Sequence, residues 1–65
     1  MPIVKIELSR GRTPAQKTEF MEKVTHLTSE VLKCPIESVD VMFIEVDGSN
    51  WAHAGKFYAP ERLSI

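Results

Sequence analysis

The sequence predicts an α+β fold: a small β-α-β protomer with parallel strands, completed by oligomerisation. Three observations predict it. An alternating apolar and charged run opens the chain, a capped amphipathic stretch follows, and a second, more apolar β-rich run comes after that. Length sets the scale, since 65 residues make one domain over residues 1–65 and leave no room for another.

In the first run, Ile3, Val4, Ile6 and Leu8 are apolar while Lys5 and Glu7 are charged. That near-alternation over Pro2 to Leu8 is the pattern of a half-buried strand. Arg10-Gly11-Arg12 breaks it, because Gly11 takes a positive φ at low steric cost. Thr13-Pro14-Ala15-Gln16 then opens a helix. Thr13 suits the N-cap, Pro14 the first helical position and Gln16 the reciprocal position of a capping box. Phe20, Val24, Leu27 and Val31 follow at spacings of four, three and four, one apolar helical stripe with Met21, Thr28 and Leu32 beside it. Lys33 suits the negative C-terminal end of the helix. Pro35 drives the residue before it out of helical geometry, which ends the helix near Cys34 after roughly 20 residues.

Val39 to Val46 is the second strand, partly buried on both faces because it is the more apolar of the two. Asp47-Gly48-Ser49-Asn50 is a turn cluster. Trp51 to Tyr58 reads as a loop or small hairpin, and a loose tail is expected after Pro60. Strand, helix and strand in this order form a right-handed βαβ unit with parallel strands.

Composition narrows how such a unit is stabilised. A domain of about 60 residues buries only about 60% of its unfolded-chain surface and is marginal alone. Small domains add disulfides, a metal or further subunits. Cys34 is the single cysteine, so no intrachain disulfide forms. His26 and His53 do not cluster with it, and no metal is expected. Subunit association remains. Two strands under one helix leave sheet edges and a face uncovered, so a homo-oligomer of closed symmetry is expected. A net charge of -1 argues against nucleic acid, which needs a dense basic face. No apolar run approaches the roughly 20 residues of a membrane span, so no membrane is expected as a partner. A lone thiol and no basic-then-apolar leader point to the cytoplasm.

Chemistry starts at Pro2. Removal of Met1 leaves its nitrogen as a free secondary amine, which is both a base and a nucleophile toward carbonyls. A free α-amino group titrates at about 7.7–8.0, and an apolar, cation-bearing pocket lowers that further. The product is a general base poised near neutral pH. A retained Met1 converts the same nitrogen into a tertiary amide with neither property. Arg12 lies in the loop after the first strand and Trp51 after the second, where ligand groups gather in open parallel sheets. Pro2 lies at the opposite strand end, so a neighbouring protomer would have to supply Arg12 or Trp51. Arg12 also reads as a solvated loop charge, and Trp51 as interface packing. His53 is a second-tier candidate for proton transfer, since imidazole titrates near neutrality.

In order and spacing, Met1-Pro2-Ile3-Val4-Lys5-Ile6, Gly11-Arg12-Thr13, Gln16-Lys17, Pro35 and Trp51-Ala52-His53-Ala54-Gly55 resemble the 4-oxalocrotonate tautomerase family of the tautomerase superfamily. The resemblance covers nearly the whole chain. It implies a single tautomerase-like domain, assembled as a homohexamer built as a trimer of dimers. It implies keto–enol isomerisation of an unsaturated 2-oxo acid, a small-molecule carboxylate, by the amino-terminal proline, with no cofactor and no metal. By position, Pro2 matches the catalytic proline. Arg12 matches the arginine that grips a substrate carboxylate. Trp51 matches an aromatic wall of the pocket that keeps the proline pKa low. The chain departs from the family at Asp40, where well-known members carry a second arginine. An aspartate there repels an anionic substrate and raises the pKa of a nearby amine, which argues against dicarboxylates and makes Asp40 a second-tier candidate. Related chemistries share the amine: hydration, dehalogenation or decarboxylation of unsaturated acids, with Asp40 orienting water. A non-catalytic oligomeric binding module is the remaining alternative.

Overall fold

A computed structural model describes residues 1–59. Strand β1 (Ile3–Ser9) leads through a short loop into helix α1 (Pro14–Leu32). A single 3-10 turn (Ile36–Ser38) precedes strand β2 (Asp40–Val46), and a second one (Gly48–Asn50) precedes a hairpin of β3 (Ala52–His53) and β4 (Lys56–Phe57). The β-α-β protomer expected from the sequence is therefore present. Its strands β1 and β2 pair in parallel, in register from Ile3 opposite Asp40 to Ser9 opposite Val46. The expected tail after Pro60 lies outside the described residues.

Local chemistry explains where α1 begins and ends. The Gln16 N–H donates to the Thr13 hydroxyl at 3.1 Å, and the Thr13 N–H donates to Gln16 Oε1 at 3.0 Å. Because Pro14 has no N–H, this helix start leaves three N–H groups unpaired, and two of them are thereby satisfied. Gly11, at φ 114°, turns the chain into that cap in a conformation that disfavours other residues. At the far end, Lys33 takes the left-handed conformation (φ 57°) and its N–H bonds to the Ser29 carbonyl. The Ser29 hydroxyl in turn donates to the Cys34 carbonyl at 2.7 Å. The helix stops at Leu32, two residues before the expected limit, because this cap forms ahead of the constraint from Pro35.

The helix covers one face of the strand pair. By alternation that face carries Val4, Ile6, Leu8, Val41 and Phe43, all half-buried. Phe20 meets Phe43 edge-on, with ring centroids 6.0 Å apart. The opposite face is open, with Ile3 59% and Met42 47% exposed. As expected, β2 is half-buried on both faces, through Val41 and Phe43 on one and Ile44 and Val46 on the other.

The expected single stripe on α1 is divided. Val24 is half-buried and Phe20 touches the sheet, but Leu27 and Val31 are 57% and 62% exposed. The cause is width: two strands about 4.8 Å apart cannot cover the full apolar arc of a helix about 10 Å across. No described residue is fully buried. The Cα radius of gyration is 15.0 Å, against about 11 Å for a compact chain of this length. Among the described residues, no helix is long and apolar enough to cross a membrane.

Candidate active site

Parallel pairing decides which candidate residues meet. Because β1 and β2 start together, Pro2 and Asp40 share one end of the sheet, and the Asp40 N–H donates to the Pro2 carbonyl at 3.0 Å. Arg12 follows the other end of β1. At about 3.3 Å per residue, a seven-residue strand puts the two ends on the order of 20 Å apart. One protomer thus brings Asp40 to Pro2 and keeps Arg12 away from it.

Arg12 borders a cavity of about 240 Å³ that is also lined by Leu8, Gln16, Lys17, Phe20 and Phe43. The floor is apolar, and the polar side chains around it are mostly committed. Gln16 is occupied by the helix cap. Lys17 forms an ion pair with Glu45 on β2 at 2.6 Å. The hydrogen bond from Lys17 holds the Glu45 carboxyl below its ordinary range. It outweighs the partial loss of hydration, and the charges of Lys17 and Arg10 act in the same direction. Arg12 itself is exposed and makes no ion pair or side-chain hydrogen bond among the described residues. An uncommitted guanidinium beside an apolar floor can take a carboxylate in bidentate fashion and leave the rest of the ligand in contact with hydrocarbon.

Trp51 does not line that cavity. Asp47 caps the turn before it by accepting from the Ser49 N–H at 3.4 Å and from the Ser49 hydroxyl. The Trp51 N–H then donates to the Gly48 carbonyl at 3.3 Å. The hairpin reverses at Ala54 (φ 54°) and Gly55 (φ 83°), the paired positive φ values of a type I′ turn. It sets His53 opposite Lys56 and Ala52 opposite Phe57. The indole is half-buried and meets the Tyr58 ring edge-to-face, centroids 5.3 Å apart at 85°. The His53 ring stacks on Tyr58 at 6.2 Å and 17°. Tyr58 was absent from the sequence-derived candidates. The signal for it was the turn, since a two-residue loop at 54–55 places 58 directly across from 51. Among the described residues, no group of three or more His, Cys, Asp and Glu side chains comes together to hold a metal ion.

Three comparisons bear on this arrangement. Residues 2–59 match the family model described as tautomerase enzyme. The 2-hydroxymuconate tautomerase of Pseudomonas putida is 40% identical over 55 residues, which cover 85% of this chain and 87% of that protein. The crystal structure of a 4-oxalocrotonate tautomerase homologue superposes with a TM-score of 0.88 at 31% identity, over 98% of this chain and 100% of that one. A 4-oxalocrotonate tautomerase of Chloroflexus aurantiacus, a heterohexamer, superposes with a TM-score of 0.84 at 24% identity, over 95% of this chain and 100% of that one. At that identity, the last likeness concerns the fold alone.

Proposed function

The chain belongs to the tautomerase family, and on that footing we propose that it isomerises an enol or unsaturated 2-oxo acid with Pro2 as the general acid and base. Once Met1 is removed, the neutral Pro2 amine takes a proton from a carbon next to the carbonyl group and returns it further along the conjugated system. Arg12 of a neighbouring protomer binds the substrate carboxylate, and Trp51 excludes water. Asp40, beside Pro2, disfavours a second carboxylate at that end. The protomers assemble as a homohexamer, which covers the apolar side chains that one chain leaves exposed. The reaction uses protein groups alone.

One observation carries this reading: the cavity at Arg12 joins an apolar floor to an uncommitted guanidinium. That combination suits a small carboxylate with a hydrocarbon body. The test is a comparison of chains shown by intact mass to lack Met1. They are assayed with phenylenolpyruvate and with 2-hydroxymuconate, wild type beside Pro2→Ala. Loss of a positioned general base costs on the order of 10²–10⁴-fold, and the expected kcat of the variant falls by that much. The monocarboxylate is expected to be the better substrate. Equal rates for wild type and variant would refute the role of Pro2.

A further inference from the structure

We infer that Tyr58 is the positioning residue for Trp51, fixing the indole in the orientation that walls the substrate cleft. The inference rests on the tautomerase reading for what Trp51 does, while the coupling of the two rings rests on the hairpin alone. Pairing of 52 with 57 and 53 with 56 makes 51 and 58 the next opposed pair, on one face of the ribbon with His53 and Lys56. The Tyr58 N–H donates to the Trp51 carbonyl at 2.9 Å, which locks the two backbones together. The side chains then meet edge-to-face at 5.3 Å, within the favoured range for aromatic pairs.

The backbone below is clamped as well. The Gly48 carbonyl accepts from both Trp51 N–H (3.3 Å) and Ala59 N–H (3.2 Å). A Cβ on Gly48 would lie 2.7 Å from the Ala59 Cβ, so only glycine lets the strand end that carries Tyr58 approach this closely. Tyr58 is itself 60% exposed and gains little from its own burial. Its hydroxyl makes no hydrogen bond among the described residues. What it supplies is a ring, held between the indole and the His53 imidazole.

Trp51 is the sole tryptophan of the chain, so tryptophan emission reports its surroundings directly. The experiment uses full-length protein lacking Met1, as wild type, Tyr58→Leu, Tyr58→Phe and Gly48→Ala. In Tyr58→Leu, emission is expected to shift and its anisotropy to fall. The KM for phenylenolpyruvate is expected to rise roughly three- to tenfold, the worth of one edge-to-face contact, with kcat within about twofold of wild type. Tyr58→Phe restores both readouts. Gly48→Ala, which displaces Ala59 without altering any ring, reproduces the emission change and carries the test if the leucine variant fails to assemble. Unchanged emission in Tyr58→Leu, changed emission with unchanged KM, or a phenylalanine variant as impaired as the leucine one overturns the inference. A wild type that turns over no enol acid refutes the tautomerase reading instead. Emission then still decides whether Tyr58 sets the indole.

Discussion

The two ends of the parallel strand pair are finished to different degrees. At the Arg12 end the chain completes its own structure. A two-way cap starts the helix, Lys17 ties α1 to Glu45 of β2, and Leu8, Phe20 and Phe43 enclose the floor of a cavity. At the Pro2 end, where both strands begin and α1 finishes, Met1, Ile3, Leu27, Val31 and Leu32 are each more than half exposed. Apolar side chains left this exposed are suited to an interaction surface, and burying them is worth roughly 25 cal/mol per Å². On the proposed reading, the carboxylate grip is folded into the single chain, whereas the surroundings of the base are left for neighbouring copies to supply.

Arg12→Ala gives the sharpest test of that contrast. A hydrogen bond to a charged group is worth about 1.5–3 kcal/mol, so kcat/KM for phenylenolpyruvate is expected to fall roughly 10- to 100-fold, mostly through KM. Arg12→Lys recovers only part of this, because a point charge lacks the planar fork. Oligomer mass and thermal midpoint stay unchanged, since Arg12 is exposed and unpaired among the described residues. A variant that also dissociates would show that the Arg12 end depends on neighbours as much as the Pro2 end does, and the contrast would collapse.

What the sequence made legible was mostly local. Thr13, Pro14 and Gln16 announce the helix start by side-chain chemistry within one turn, and it forms as read. The breaks at Gly11 and Pro35 are equally short-range. The division of the α1 stripe is not local. Periodicity identifies Leu27 and Val31 as apolar, but their exposure depends on the width of the sheet beneath them. The 3-10 turn at Ile36–Ser38 was also missed. There the Ser38 N–H and hydroxyl both donate to the Pro35 carbonyl, at 3.0 and 2.8 Å, and Pro35 signals the helix stop without specifying the conformation of residues 36–38. In the candidate site, the approach of Asp40 to Pro2 comes from strand register, which no motif encodes. The partnership of Trp51 with Tyr58 was hidden because Ala54 stands in a turn position usually held by Asn, Asp or Gly.

A smaller effect is expected from the cap at the Arg12 end. Thr13→Ala removes the hydroxyl that accepts from the Gln16 N–H and should lower stability by about 1 kcal/mol. Urea unfolding reads this only at matched protein concentration, because association shifts the apparent midpoint. The oligomer mass at assay concentrations is expected to stay that of wild type, since the cap lies away from the exposed apolar end. If Thr13→Ala weakened association more than it weakened the protomer, the two ends would be coupled through α1.

The smallest effect concerns the Lys17–Glu45 pair, whose side chains are about one-third exposed (34% and 32%). Glu45 is held below its ordinary range in the folded state, first by the Lys17 hydrogen bond. A carboxyl with a depressed folded pKa adds stability that is fully present above its unfolded value of about 4.3 and is lost as pH falls through the lower folded value. Wild type should therefore unfold at a higher urea concentration than Glu45→Gln at pH 7. The gap should narrow below about pH 4 as the carboxylate protonates. Raising the salt to about 1 M at pH 7 should shrink it as well, because a partly exposed pair is screened. A gap that persisted at low pH and high salt would mean that Glu45 contributes by packing. The tie between α1 and β2 at the Arg12 end would then be steric, and that end would keep its shape whatever the charge on its strand.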